Sequence, residues 1–316
     1  MITFRPFRNS DPPELAELWR SQRPSHGLLQ PMSTSMLERC VYAKPYFDQK
    51  GLIVAERHGQ VVGFVHAGFG PSSDQQKLGT DCGVICLMMT QDTEDARDIR
   101  IEMLQHAERY LTDQGATTIQ AGCLENHSPF YLGIYGGCQM PGLLLAYPET
   151  IEVFREHGYQ ESAVRVLRQR FLDGFRPPVD RFQLLARRRF EISPSIVTKA
   201  DSWWDACMYG HLDRVRFELF DRNTGSPCGR ATYWDMGPLP GGPGIAAMGL
   251  SELHVDEATQ VPGAHEFLLA TSLHHLSESG VTLVQVMGTH DTTDLFDKLG
   301  FDTVCEGVVL VKAVGS

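Results

Sequence analysis

The sequence predicts an α/β (α+β) protein built from two tandem domains of roughly 150 residues each. The chain has 316 residues, of which 42% are hydrophobic and 21% charged, as is ordinary for a soluble globular protein with room for two cores. The same order of strand and helix patterns occurs in both halves, with matching spacing. A repeat this long indicates two copies of one domain rather than a solenoid, whose units are far shorter.

The first half begins with a predicted β-hairpin over 51–69, "GLIVAERHGQVVGFVHAGF". The apolar run "GVICLMM" follows and ends at Met89. A helical pattern comes next and stops near Gly115, because its apolar residues recur at helical spacing. The strand pattern "ATTIQAGC" and the segment "VFREHGY" complete the half.

The second half repeats this order, starting with a predicted hairpin over 215–234. The alternating run "GLSELHV" ends at Val255, and a helical pattern with Leu269, Leu273 and Leu276 follows. After Gly280 come the strand pattern "VTLVQVMG" and the segment "LFDKLGF". The two halves therefore present the same elements in the same order.

Spacing supports the repeat and places one insertion. Gly63 to Met89 spans 26 positions, and so does Gly229 to Val255. Later in each half the intervals differ, by about 23 residues. We therefore predict a domain over 1–172 with an aromatic and glycine-rich insertion near 124–148, a linker over 173–180, and a second domain over 181–316.

Composition excludes several classes of function. A net charge of −11 opposes binding to nucleic acid, and the one basic run, around 168–190, is interpreted as a solvated strand edge and linker. No apolar stretch is long enough to span a membrane, and the first residues lack a secretory pattern, so we expect a cytoplasmic protein. Eight scattered cysteines form no CxxC pair, and we expect no metal site.

The segment "TQVPGAH", between a strand pattern and a helix pattern, carries a resemblance to a known family. The order of elements and this turn resemble the acyl-CoA-dependent N-acyltransferases of the GNAT superfamily, with Gln260 and Gly263 at signature positions. His265 departs from the small residue found there. In the second signature, Thr289 and Phe296 replace the family's Asn and Tyr.

The resemblance implies a mostly antiparallel mixed sheet flanked by helices in each domain, and acetyl-CoA (coenzyme A) as cosubstrate. Backbone groups at a helix N-terminus suit a pyrophosphate, because unpaired N–H groups and the helix dipole both favour an anion. The residues predicted to bind the cosubstrate are Leu253, Val255, Gln260, Val261, Gly263, Ala264 and His265. An ordinary Pro-Gly turn is the alternative.

The corresponding turn of the first half, "TQDTEDARDIRIE", has no glycine. It carries Asp92, Glu94, Asp95 and Asp98, which suit a helix start but oppose a pyrophosphate. We therefore interpret the first half as a degenerate copy, retained for structure or for the acceptor.

Three residues are candidates for proton transfer. Glu252 and His254 alternate on one strand and so share a face, where they are available as general bases; the alternative is that both simply face water. His290 is the candidate acid for the leaving thiolate, since Phe296 cannot donate a proton. A capped helix start is the alternative for His290.

Tyr131 and Tyr135, in "HSPFYLGIYGG", are predicted to contact the acceptor, because aromatic, glycine-rich loops often line binding sites. Packing between the halves is the alternative. The sequence thus predicts an N-acyltransferase acting on an amine of a small molecule, amino acid derivative or peptide, as a monomer or homodimer with no nucleic-acid or membrane partner. The alternative function is a non-catalytic acyl-CoA or metabolite-binding protein.

Overall fold

The computed structural model describes residues 1–123, 128–237, 245–259, 261–289 and 292–315. The strands are β1 (Ile2–Pro6), β2 (Leu52–Arg57), β3 (Gln60–Pro71), β4 (Leu78–Thr90), β5 (Thr118–Ala121), β6 (Leu143–Leu144), β7 (Gln160–Phe171), β8 (Phe190–Ile196), β9 (Arg214–Asp221), β10 (Pro227–Asp235), β11 (Ala247–Val255), β12 (Leu283–Gly288) and β13 (Asp302–Ala313). The helices are α1 (Pro12–Arg20), α2 (Thr34–Leu37), α3 (Ala96–Asp113), α4 (Pro148–Glu156), α5 (Arg181–Arg189), α6 (Trp203–Tyr209), α7 (Ala264–Glu278) and α8 (Thr293–Lys298), with a π-helical turn at Glu38–Tyr42 and a 3-10 turn at Gln49–Gly51.

One continuous sheet runs through both halves in the order β1-β2-β3-β4-β5-β13-β7-β12-β11-β10-β9-β8, and β6 pairs with β13. The last strand of each half completes the sheet of the other half, since β7 pairs with β12 and β13 pairs with β5. The strands β7 and β13 then pair with each other at the centre. The predicted ranges 1–172 and 181–316 are therefore joined by exchanged strands.

The sheet is mixed but mostly antiparallel, as the resemblance implied. The parallel pairs are β4 with β5 and β11 with β12, one in each half. Helices α3 and α7 follow β4 and β11 and pack on the sheet, where their apolar faces contribute to two of the three hydrophobic cores. The mixed α/β fold class is confirmed, with one shared sheet in place of two.

Strand register confirms the repeat and corrects its spacing. A bulge in β4 at Cys86 corresponds to a bulge in β11 at Ser251. Gly229 pairs with Val255 as the spacing assumed, but Gly63 pairs with Thr90, one residue beyond Met89. The connection from β11 to α7 (256–263) is also longer than that from β4 to α3 (91–95).

The basic run near 168–190 does not form a strand edge. Strand β7 lies between β13 and β12, and the side chain of Arg168 is only 5% exposed, with Nη1 donating to Asp297 Oδ1 at 2.7 Å. The rest of the run forms α5, which packs against α7. The beginning of this basic run is therefore part of a strand inside the sheet, and its end is a helix. Among the described residues, no helix is long and apolar enough to cross a membrane.

Candidate functional site

The parallel strands β11 and β12 separate along their length. They are paired only from Ala247 to Gly249, opposite Leu283 to Gln285. Beyond these residues β11 continues beside β10 and β12 continues beside β7. We call the space between their carboxyl ends the splayed gap. The Ser251 bulge lies where the gap begins, so alternate backbone N–H groups of β11 point into it.

Glu252 and His254 share one face of β11, whereas Leu253 and Val255 belong to the core beneath α7. Glu252 Oε1 accepts from Arg230 Nε at 2.7 Å, and its Oε2 accepts from Thr232 Oγ1 at 3.2 Å. These contacts fix the carboxylate on the face opposite α7.

His254 is more open. Its side chain is 54% exposed, and Nε2 lies 3.1 Å from Asp256 Oδ1. The alternative of a residue facing water therefore fits His254 better than Glu252, which is 32% exposed. A general-base role stays a prediction for both residues.

The start of α7 has the backbone geometry of an anion site. Gly263 is the N-cap with φ of 83°, in the left-handed region, and none of the described side chains caps this helix end. Ala264 N–H donates to Val261 O at 3.3 Å. The other first-turn N–H groups lack intrahelical partners by geometry. Gln260 lies outside the described residues.

His265 lies in the first turn of α7. Partial desolvation lowers its pKa, and the neighbouring His254 adds to that effect. The imidazole is therefore neutral near pH 7, and a neutral imidazole can still donate one hydrogen bond. Glu266 in the same turn is 11% exposed, and Lys298 Nζ lies 3.7 Å from its carboxylate. The lysine offsets this negative charge beside the helix start.

Sequence reasoning missed the contribution of α5. The backbone at Phe182 lies against Gly263, since a Cβ added to Gly263 would be 3.0 Å from Phe182 Cβ. The ring of Phe182 remains about half exposed. Asp180 caps α5 by accepting from Gln183 N–H at 2.8 Å. An N-cap Asp before an apolar residue was the available signal for this helix.

Phe296 is buried beside the end of β12, where a Cβ added to Gly288 would be 2.9 Å from its ring. Its ring is 4% exposed and packs edge-on against Phe301, with ring centroids 5.6 Å apart. Phe154 and Tyr159 form the same contact in the first half, at 5.0 Å. His290 lies outside the described residues, so its role as the acid stays a prediction.

The insertion of the first half reaches the splayed gap of the second half. Cys138 N–H donates to Gln285 Oε1 at 3.2 Å, and Gln139 Nε2 donates to Ser251 O at 3.3 Å. A Cβ added to Gly249 would be 2.7 Å from Cys138 Cβ, so this close approach requires glycine. The insertion thus forms one wall of the gap. A glutamine inside the apolar strand "VTLVQVMG" was the sequence signal for this contact.

Tyr131 and Tyr135 are interior residues, 1% and 3% exposed. The Tyr131 hydroxyl lies 2.9 Å from His66 Nδ1, and the Tyr135 hydroxyl accepts from Leu144 N–H at 2.9 Å. Both hydroxyls are engaged inside the first half, so packing within that half, rather than packing between the halves, accounts for them. Contact between the insertion and the acceptor stays a prediction, and in this structure Cys138 and Gln139 are nearer the gap.

The corresponding region of the first half lies beside the carboxyl end of β4. Leu143, Leu144 and Tyr135 line a small cavity there, of about 30 Å³. By strand register Leu87 occupies the position of Glu252, because it pairs with His66 as Glu252 pairs with Thr232. The first half thus lacks the carboxylate.

No protein-family model matches the sequence, and no curated protein matches it either. Solved structures do match. A glucosamine N-acetyltransferase region of a fungal multi-domain β-N-acetylglucosaminidase is 15% identical with a TM-score of 0.73, over 99% of this chain and 38% of that one. The chain therefore spans well under half of that protein.

Two further structures match over nearly their whole length. A tandem GNAT protein from the clavulanic acid biosynthesis pathway is 16% identical, with a TM-score of 0.63 and all of both chains covered. A GCN5-related N-acetyltransferase from Sphaerobacter thermophilus is 12% identical, with a TM-score of 0.66 over 100% of this chain and 97% of that one. Together with one parallel strand pair in each half, these likenesses show that the chain has the GNAT fold in tandem.

Proposed function

We propose that the protein is an N-acyltransferase that moves an acetyl group from acetyl-CoA to an amine, with one active site, in the second half. The observation that carries the proposal is the splayed gap between β11 and β12, which has the helix start at Gly263 and a fixed carboxylate at Glu252 beside it. Each of these three features is common alone, and their combination on one strand-turn-helix unit suits acyl transfer.

The residues at the start of α7 fit the pyrophosphate of coenzyme A. Gly263 brings backbone close to a ligand without a Cβ, and the first-turn N–H groups and helix dipole favour negative charge. His265 adds a hydrogen-bond donor. Bound acetyl-CoA would supply an acetyl group already activated as a thioester.

The chain's own residues then provide base and oxyanion donors. Glu252 accepts a proton from the acceptor ammonium, while Arg230 and Thr232 hold its carboxylate in place. His254, beside Asp256, is the second base. Backbone N–H groups of β11 that point into the gap are fixed before the reaction, which is when such donors stabilise developing negative charge best.

Thiol release by the purified full-length protein, with acetyl-CoA and a panel of amines, tests the proposal. Turnover should require an amine, and Glu252→Gln should lower kcat at least about tenfold, because general-base catalysis typically contributes 10²–10⁴-fold. The affinity for acetyl-CoA should not change. Glu278→Gln, at the far end of α7, is the matched control and should behave as the unchanged protein does.

The second candidate function is a non-catalytic acyl-CoA or metabolite-binding protein. It is favoured by Phe296, which is buried where the family carries a tyrosine hydroxyl. A coenzyme A thiolate is a fairly good leaving group near neutral pH, so the missing hydroxyl alone does not prevent transfer. Tight acetyl-CoA binding without thiol release for any amine would favour this second function.

A further inference from the structure

A cleft of about 920 Å³ lies between the two halves. One wall is the π-helical turn Glu38–Tyr42 and the residues after it, and the other wall is α6 with the loop that follows. Its floor is the end of β10, including Trp234. Trp234 lies two residues from Thr232 on the same side of the strand, so the floor begins about 7 Å from the residue that contacts Glu252.

One end of the cleft is cationic, with Arg39 and Lys44 in its lining beside His211. Lys44 is 9% exposed, and its Nζ donates to Cys207 O at 2.9 Å and to Met208 O at 3.4 Å. No carboxylate among the described residues forms an ion pair with it. A lysine ammonium has three donors, so one remains for a ligand in the cleft.

The charges at this end act on one another. The pKa of His211 is lowered by desolvation and then by Lys44 and Arg39, so the positive field of these two cations reaches the histidine and favours its neutral form. Desolvation also lowers the pKa of Lys44. A buried cation with only carbonyl partners is costly, and an anionic ligand would offset that cost.

The other charged group in the lining is an acidic pair, Asp213 and Asp235. The two residues are adjacent, because Asp235 N–H donates to Asp213 O at 2.8 Å. Both side chains are exposed, and neither forms an ion pair within the described part of the chain. Asp235 lies on β10, the strand that carries Thr232. The cleft thus has separate cationic and acidic groups.

We propose that this cleft binds the acceptor, and that the acceptor is an amine that also carries an anionic group. The anion faces Arg39 and Lys44, and the amine end extends past the acidic pair along β10 toward Thr232 and Glu252. The inference rests on the proposed acetyl transfer and adds the class of acceptor. It also gives the first half a role, because Arg39 and Lys44 belong to that half.

Two matched sets of probes test the inference on the full-length protein. The twenty standard amino acids as free acids are compared with the same mixture as carboxamides, and 2-aminoethyl phosphate is compared with ethanolamine. The first pair reports a carboxylate and the second a phosphate. At least one probe with an anionic group should raise Tm and support thiol release from acetyl-CoA, while its partner without that group does neither.

Lys44→Met should remove the Tm rise and increase KM for the anionic acceptor at least about tenfold, because a hydrogen bond to a charged group is worth 1.5–3 kcal/mol. The values of kcat and of acetyl-CoA affinity should change less than about twofold. Lys50→Met, at an exposed lysine outside the cleft, is the control and should leave all of these unchanged. Since Lys44 is buried, Arg39→Gln at an exposed position provides a second variant with the same expected direction.

Thiol release with an unchanged KM in both Lys44→Met and Arg39→Gln would overturn the cleft assignment and leave the proposed function standing. Equal rates of thiol release with the probes that lack an anionic group would overturn the cleft assignment as well. Absence of thiol release with every probe, despite acetyl-CoA binding, would instead contradict the proposed function together with the acceptor role of the cleft.

Discussion

Replacement of Gly263 by alanine tests whether the backbone conformation at the start of α7 is needed for acetyl-CoA binding as well as for stability. Gly263 has φ of 83°, and an L-residue in the left-handed region costs about 1–2 kcal/mol. Its new Cβ would lie 3.0 Å from Phe182 Cβ, so α5 must also shift by a few tenths of an ångström. We expect the free energy of unfolding to fall by about 1–2 kcal/mol or slightly more, and acetyl-CoA affinity to fall with it.

Gly280→Ala is the matched control, because Gly280 follows the other end of α7 with φ of 87° and no atom within 4 Å of an added Cβ. It should lose a similar unfolding free energy and keep its acetyl-CoA affinity. Adding Phe182→Ala to Gly263→Ala should restore part of the affinity by removing the contact. Urea unfolding and calorimetric titration measure the two quantities. Equal loss of affinity in the Gly263 and Gly280 variants, or no loss in either, would refute the reasoning.

Three further predictions concern single side chains. His254→Ala should lower kcat less than Glu252→Gln does, because His254 is the more exposed base. Steady-state kinetics over pH 6 to 9 measure kcat of both variants, and a larger loss in His254→Ala would mean that the two roles are exchanged. Phe296→Tyr should leave kcat nearly unchanged and lower Tm, since its hydroxyl would enter a ring contact that is 4% exposed; an increase in kcat would mean that the side chain reaches the gap. Burial lowers the pKa of His66 from 6.5 to about 3, so the unfolded chain binds one more proton between these values and the stabilisation by neutral His66 is lost as pH falls from 6.5 toward 3. Urea unfolding at pH 7 and pH 5 should therefore show a weaker pH dependence for His66→Gln, by up to about 1.4 kcal/mol per pH unit, and an unchanged slope would contradict the assignment.

The local elements of both halves could be predicted from the sequence, because period and spacing are local properties. The alternating run up to Val255 and the helical leucines after it became β11 and α7. The exchange of β7 and β13 could not be predicted, since either strand satisfies the same alternation beside β5 or beside β12. Partner choice is decided by contacts between residues far apart in the chain.

The candidate site could be predicted from the sequence only where its residues lie on one continuous segment of the chain. Glu252, His254 and Gly263 lie on one strand-turn-helix unit, which spacing located. The contacts from Phe182 and from Gln139 come from other elements, and no periodicity within the unit indicates them. The insertion was expected to offer aromatic side chains to the acceptor, but Tyr131 and Tyr135 pack inside the first half. The backbone of Cys138 and the side chain of Gln139 make the contacts with the second half.

Calorimetric titration of the full-length protein with acetyl-CoA tests the central claim most directly. The account predicts one site per chain, with binding abolished by Gly263→Glu through steric clash and like charge, and retained by Arg97→Glu in the first turn of α3, the corresponding helix of the first half. Arg97 is an exposed residue that pairs with Glu156 in that half. Two sites per chain, or binding lost in Arg97→Glu and kept in Gly263→Glu, would contradict the claim.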